Sequence, residues 1–107
     1  AERAAIPTCA LLDDPRTHAL HRGIRGVLEE FGPDRVALGE VALPWTERVA
    51  TYCGAGDGLH LAFHFAPLYS PWEAAALRAL IAETAEHYDP RGAWPTWSSW
   101  PARPASR

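Results

Sequence analysis

Residues 35–40, RVALGE, decide the predicted fold. This short apolar run has no polar alternation, which is typical of a parallel strand buried on both faces. A second apolar run covers residues 59–65, and a third run, weakened by Pro95, covers residues 93–97. Helical patterns separate the three runs. Strands that alternate with helices favour right-handed βαβ units, so the sequence predicts an α/β protein with a parallel sheet.

Three helices are predicted from start signals, stop signals and apolar spacing. The first begins at Asp13-Asp14-Pro15 and ends at Gly32-Pro33. The second is opened by Pro44, runs through Thr46 to Tyr52 and is closed by Gly54. The third begins at the capping box Ser70-Pro71-Trp72-Glu73 and runs to about Tyr88. The apolar positions predicted for the first helix are Ala19, Leu20, Ile24, Val27, Leu28 and Phe31, and those for the third are Leu77, Leu80, Ile81, Thr84 and Tyr88.

Charge and cysteine content exclude several classes of function. The 107 residues have a net charge of −3, which argues against a nucleic-acid footprint and against a basic membrane-binding patch. No apolar run reaches the length of a membrane span. Cys9 and Cys53 form no metal-binding or disulfide pattern, so a reducing, cytoplasmic location is expected. All ten basic residues are arginine, as in a GC-rich gene, and the short chain begins at Ala1, which suggests a fragment.

Glu40 is the candidate catalytic residue. It ends a predicted parallel strand directly after a glycine, at the strand end where α/β barrels place catalytic groups. A glycosidase needs such a carboxylic acid to protonate the departing oxygen. Position alone also fits an ordinary solvated residue at a strand end.

The histidine pairs do not predict a metal site. His60 and His64 share a strand face but would lie about 13 Å apart, too far for one ion. His18 and His21 are three residues apart on a helix, and no third ligand follows at a suitable spacing, so a partly exposed helix face is expected. No cofactor or metal is predicted.

Other reactive or aromatic residues have structural explanations. Cys53 follows a helix C-terminus, where the dipole disfavours a thiolate, so a buried structural thiol is expected. The glycines of residues 54–58 lie between helix and strand, which predicts a connector rather than a phosphate loop. Trp94, Trp97 and Trp100 suit a sugar platform, although core or barrel-mouth packing is the favoured explanation for the first two.

From Asp13 to Trp97 the chain resembles the catalytic barrel of the α-amylase family of glycoside hydrolases, in particular its bacterial α-glucosidase and oligo-1,6-glucosidase branch. The order and spacing of several short segments support the resemblance. They are Asp14-Pro15 with His18, Arg22 and Arg25, then residues 27–30, 34–41, 59–63, Pro71-Trp72 and 92–97.

The resemblance implies a fragment of a TIM (β/α)8 barrel. Glu40, within Gly39-Glu40-Val41, then matches the general acid/base at the end of the fifth strand. Residues 59–65 match the sixth strand and residues 93–97 the beginning of the seventh. The implied substrates are α-glucosides or malto- and isomalto-oligosaccharides.

Two family motifs are missing. The nucleophile motif Gly-Phe-Arg-x-Asp does not precede Asp13, and residues 98–101 read SSWP where an Asn-His-Asp motif is expected. Ala42 stands where members often have tryptophan, and His64 where they often have asparagine. We therefore expect a partial barrel at residues 13–97 between irregular segments at 1–12 and 98–107, inactive by itself. The alternatives are a non-catalytic α/β remnant and a small α/β protein that self-associates through open strand edges.

Overall fold

A computed structural model describes residues 12–97 of the chain, with side chains up to Ala93. The predicted tail at 98–107, the segment 1–11, Cys9 and Trp100 lie outside the described residues. The elements are helix α1 (Thr17–Glu30), strand β1 (Leu38–Gly39), helix α2 (Thr46–Thr51), strand β2 (Leu61–His64), helix α3 (Ala66–Tyr69), helix α4 (Ala74–Tyr88), a 3₁₀ helix (Asp89–Arg91) and strand β3 (Trp94–Trp97).

The sheet is parallel, as the sequence predicts. In the described residues the strand order is β1-β2-β3, with Leu38 opposite Leu61 and Leu61 opposite Trp94. The α/β class and the alternation of helices with strands are confirmed, and α3 is a short addition after β2.

Strand β1 is shorter than the predicted run 35–40 and less buried than expected. Only two residues pair, and the Leu38 side chain is 47% exposed. Before the ladder begins, the carbonyl of Ala37 accepts bonds from the amides of His60 and Leu61. The amide of Ala37 in turn donates to His60 Nδ1 at 3.0 Å. The His60 side chain, and not a backbone carbonyl of β2, therefore accepts the bond from the Ala37 amide.

Two predicted helix starts are wrong by two or three residues. The Asp14 carboxylate binds the amide and guanidinium of Arg16, so the chain turns once before α1 begins at Thr17. Ser70 does not cap α4 but ends α3 in an extended conformation, which the following proline favours. Helix α4 begins after Glu73, which is extended and makes no side-chain cap.

The core lies where α2, β2 and α4 meet. Its buried residues include Val49, Cys53, Ala62 and Tyr88, each at most 1% exposed. The prediction of a buried thiol at Cys53 is confirmed, and burial raises the pKa of that thiol. On the predicted face of α4, Leu80, Thr84 and Tyr88 are buried, whereas Ile81 is exposed.

Helix α1 is amphipathic, but its apolar face is uncovered. Leu20, Ile24, Val27 and Phe31 are all more than half exposed, and the helix buries none of its residues. The partly buried residues of α1 are mostly polar: Thr17, His18, His21 and Arg25, together with Leu28. None of the helices in residues 12–97 is long and apolar enough to cross a membrane.

Candidate active site

Glu40 directly follows β1, at the C-terminal edge of the parallel sheet, and its side chain is exposed. Gly39 allows this strand to pass close to the buried Leu59, because a Cβ on Gly39 would overlap the Leu59 side chain. Glycine at position 39 therefore permits the close approach of β1 to the core just before Glu40.

Two clefts meet at Glu40. One, of about 360 Å³, is lined on its polar side by Asp13, His21 and Tyr52. The other, of about 410 Å³, is lined by Leu43, Phe65 and Tyr69 together with Ala42 and Pro44. Phe65 and Tyr69 follow the end of β2, so both parallel strands contribute to this cleft. A carboxyl group between a polar and an aromatic cleft can reach a ligand that occupies either.

The polar cleft contains a second carboxylate, Asp13, whose side chain is 5% exposed. Its Oδ1 accepts a 2.8 Å bond from the Tyr52 hydroxyl, and its Oδ2 pairs with the Arg48 guanidinium. Asp13 also has a φ of 54°, a backbone conformation that is uncommon outside glycine. These contacts tie the start of α1 to α2 and occupy both carboxylate oxygens.

The ionisation of Tyr52 gives a pH-dependent prediction. Burial, and then the bond to the Asp13 carboxylate, raise the pKa of Tyr52 from 10.0 to about 12. Because the folded pKa lies above the unfolded one, the stabilising contribution of the neutral phenol is complete below pH 10. We expect it to be lost as the pH rises from 10.0 to about 12. The free energy of unfolding should fall less steeply with pH in this range for Tyr52→Phe than for the parent chain. Equal slopes in the two proteins would contradict the prediction.

The histidines divide into two groups. His18 and His21 are partly exposed on α1, as predicted, and their rings also pack on Tyr52 with centroids 4.6 and 5.5 Å away. Burial and the neighbouring His18 lower the pKa of His21. His64 is 1% exposed at the end of β2, and its Nε2 lies 3.2 Å from Thr46 Oγ1. The Nδ1 atom of His60 instead accepts a 3.0 Å bond from the Ala37 amide.

The glycine-rich segment 54–58 is a turn between α2 and β2, as the connector prediction states. Glu47, Glu83 and Glu86 lie on helices α2 and α4. Trp94 and Trp97 are in β3, and their side chains are not described.

Sequence analysis overlooked the roles of Asp13, Tyr52, Phe65 and Tyr69. Asp13 was interpreted as part of a helix start, and its bond to Tyr52 spans 39 positions in the sequence. No local pattern links residues so far apart. Phe65 and Tyr69 could have been found, since they follow a predicted strand whose C-terminal end lies beside Glu40.

The geometry defines an α/β segment with an exposed carboxylate at the C-terminal edge of its parallel sheet. No protein-family model matches the chain. The chain is similar to trehalose synthase from Thermus thermophilus, with 40% identity over 52 residues. These residues make up 48% of this chain and 5% of the relative, so the chain matches only a small part of that protein.

Proposed function

We propose that residues 13–97 are part of the (β/α)8 catalytic barrel of an α-amylase family glycoside hydrolase, with Glu40 as the general acid/base. The observation that supports this most directly is the place of Glu40, exposed after a parallel strand and bordering two clefts. The partial similarity to trehalose synthase, an α-amylase family enzyme, supports the same family. The proposed substrates are α-linked glucosides, as for the α-glucosidase and oligo-1,6-glucosidase branch, and the proposed location is the cytoplasm.

In the proposed mechanism Glu40 acts twice. As an acid it gives its proton to the glycosidic oxygen while that oxygen leaves the anomeric carbon and a carboxylate bonds to the carbon. As a base it then takes a proton from water, whose oxygen displaces the carboxylate and completes hydrolysis with retention. Both steps need two carboxyl groups about 5 Å apart on opposite sides of the scissile bond.

The chain provides the acid/base of this pair but not the nucleophile. The Asp13 carboxylate lines the same cleft, but both of its oxygens are engaged by Tyr52 and Arg48. Asp57 is exposed in the turn that precedes β2, at the other end of that strand from the edge marked by Glu40. We therefore propose that the isolated chain is inactive and that the nucleophile belongs to a neighbouring barrel strand.

We expect the isolated chain to hydrolyse an aryl α-glucoside no faster than buffer does. General acid catalysis alone accounts for about 10²–10⁴-fold, which is far below the total acceleration of a glycosidase. The assay should compare the chain with its Glu40→Gln variant. Turnover that disappears in the variant would contradict the proposed inactivity and support the role of Glu40, whereas equal turnover in both would contradict that role. Gly-Phe-Arg-x-Asp and Asn-His-Asp codons on either side of this segment in its gene would support the barrel.

The second candidate function, a small self-associating α/β protein, is favoured by one observation. The apolar face of α1 is exposed, β1 is the edge strand of the sheet within the described residues, and Val36 just before β1 is also 58% exposed. An exposed apolar helix face and an edge strand can each pack against a second copy of the chain. The barrel proposal explains the same surface by a preceding strand and helix. A stable dimer with no flanking barrel motifs in the gene would favour the alternative.

A further inference from the structure

Three metal-ligating side chains converge between helices α2 and α4. Glu47, Glu83 and His87 each offer one ligand atom, and these atoms all lie within 4.8 Å of one another. All three residues are half-buried rather than freely solvated. The group combines two carboxylate oxygens with an imidazole nitrogen, so it is a mixed donor set.

The fold fixes the backbone positions of the three residues. Glu83 and His87 are four residues apart on α4, which places them on one face of the helix. Glu47 lies in the first turn of α2. The two helices are packed against each other through the core, and the Arg91 guanidinium, just beyond α4, donates a 3.0 Å bond to the Ala50 carbonyl in α2. Ligands on packed helices can be brought to one ion by side-chain rotations alone.

We propose that Glu47, Glu83 and His87 bind a divalent transition-metal ion, with zinc as the preferred ion. Zinc accepts imidazole nitrogen and carboxylate oxygen together, and three protein ligands leave its fourth position to water. The imidazole selects against calcium and magnesium, which take oxygen ligands. Two neighbouring carboxylates add electrostatic attraction for any cation.

The ion would have a structural effect that does not depend on the proposed glycosidase function. It would link α2, which precedes β2, to α4, which follows it, and would therefore stabilise the unit that supports the C-terminal edge of the sheet. Glu40 is not among the three ligands, and its proton transfers need no metal. Because the unfolded chain does not hold the three ligands together, binding should favour the folded state.

The proposal is tested by titrating the metal-free 107-residue chain with Zn²⁺ and measuring the heat of binding by isothermal calorimetry. We expect one equivalent to bind, with Mg²⁺ and Ca²⁺ in excess not competing. Co²⁺ in place of zinc should give visible absorption bands typical of low-coordinate cobalt. Zinc at a hundredfold excess over its dissociation constant should raise the unfolding midpoint by on the order of 10 °C, reversibly with a chelator.

Variants locate the site. Glu83→Gln and His87→Ala should each weaken zinc binding by on the order of tenfold or more. The matched control is Glu86→Gln, an exposed residue of the same helix, which should bind zinc as the parent chain does. Absence of zinc binding would overturn the proposal, as would binding that survives both Glu83→Gln and His87→Ala. A hydrolysis assay that contradicts the proposed glycosidase function would not affect the zinc-site proposal, because the zinc site is tested by metal binding alone.

Discussion

Replacing Glu40 by glutamine is expected to lower the turnover of unactivated α-glucosides by about 10²–10⁴-fold in a polypeptide that joins this segment to the strand with the nucleophile. Glutamine preserves the size of the side chain but has no proton to give to a poor leaving group. The first step on aryl glucosides with acidic phenols should be affected much less, since their leaving groups depart without protonation. Steady-state kinetics on both substrate types measures the difference.

The control for this experiment is Glu86→Gln, which removes an exposed carboxylate from α4 and should leave both rates unchanged. Added azide is an independent check. A small nucleophile needs no general base, so it should restore turnover of the aryl glucoside in the Glu40→Gln enzyme if its second step has become slow. Equal turnover of unactivated glucosides by Glu40→Gln and the parent would refute the assignment of Glu40.

Replacing Gly58 by alanine is expected to destabilise the folded chain by about 3 kcal/mol. A Cβ at this buried position would overlap the carbonyl oxygen of Tyr52 and lie 2.9 Å from the carbonyl carbon of Cys53. These are backbone atoms, so the clash is relieved only if the turn between α2 and β2 moves. Such a movement would also disturb the bond from the Gly58 amide to the Cys53 carbonyl, which is 3.1 Å long.

Gly26→Ala is the matched control for this substitution. Gly26 is inside α1, and a Cβ there meets nothing within 4 Å. Alanine should therefore stabilise the helix by about 0.5–1 kcal/mol. Chemical denaturation of the three proteins measures both effects, and a Gly58→Ala variant as stable as the parent would show that the turn tolerates a side chain.

The sequence was sufficient to predict the features that depend on neighbouring residues. The apolar runs at residues 35–40 and 59–65 predict strands, and the helical pattern between them requires a crossover, so their parallel pairing follows from chain connectivity. Glu40 comes at a strand end for the same reason. The burial of Cys53 is also predictable, because cysteine is among the residue types most often fully buried.

Helix starts were less predictable, because several residues compete to begin each helix. Ser70 and Glu73 have the spacing of a capping box, yet Ser70 ends α3 and the chain stays extended to Glu73. The Asp14 carboxylate accepts bonds from the Arg16 amide and guanidinium, so it closes a turn that precedes α1 instead of capping α1 itself. In both places the helix begins two or three residues after the position that the local pattern predicts.

The sequence by itself determined the alternation of helices with strands, the direction of the sheet and the position of Glu40 at its edge, since all three depend on periodicity and connectivity. Only the tertiary structure decided what surrounds those elements. The spacing of Leu20, Ile24 and Val27 shows that they share a face of α1, but not that this face is uncovered. The bond between Asp13 and Tyr52 joins residues 39 positions apart, and Glu47 approaches Glu83 and His87, which are 36 and 40 positions away. Contacts at such separations follow from how packed elements lie in space, which no local pattern specifies.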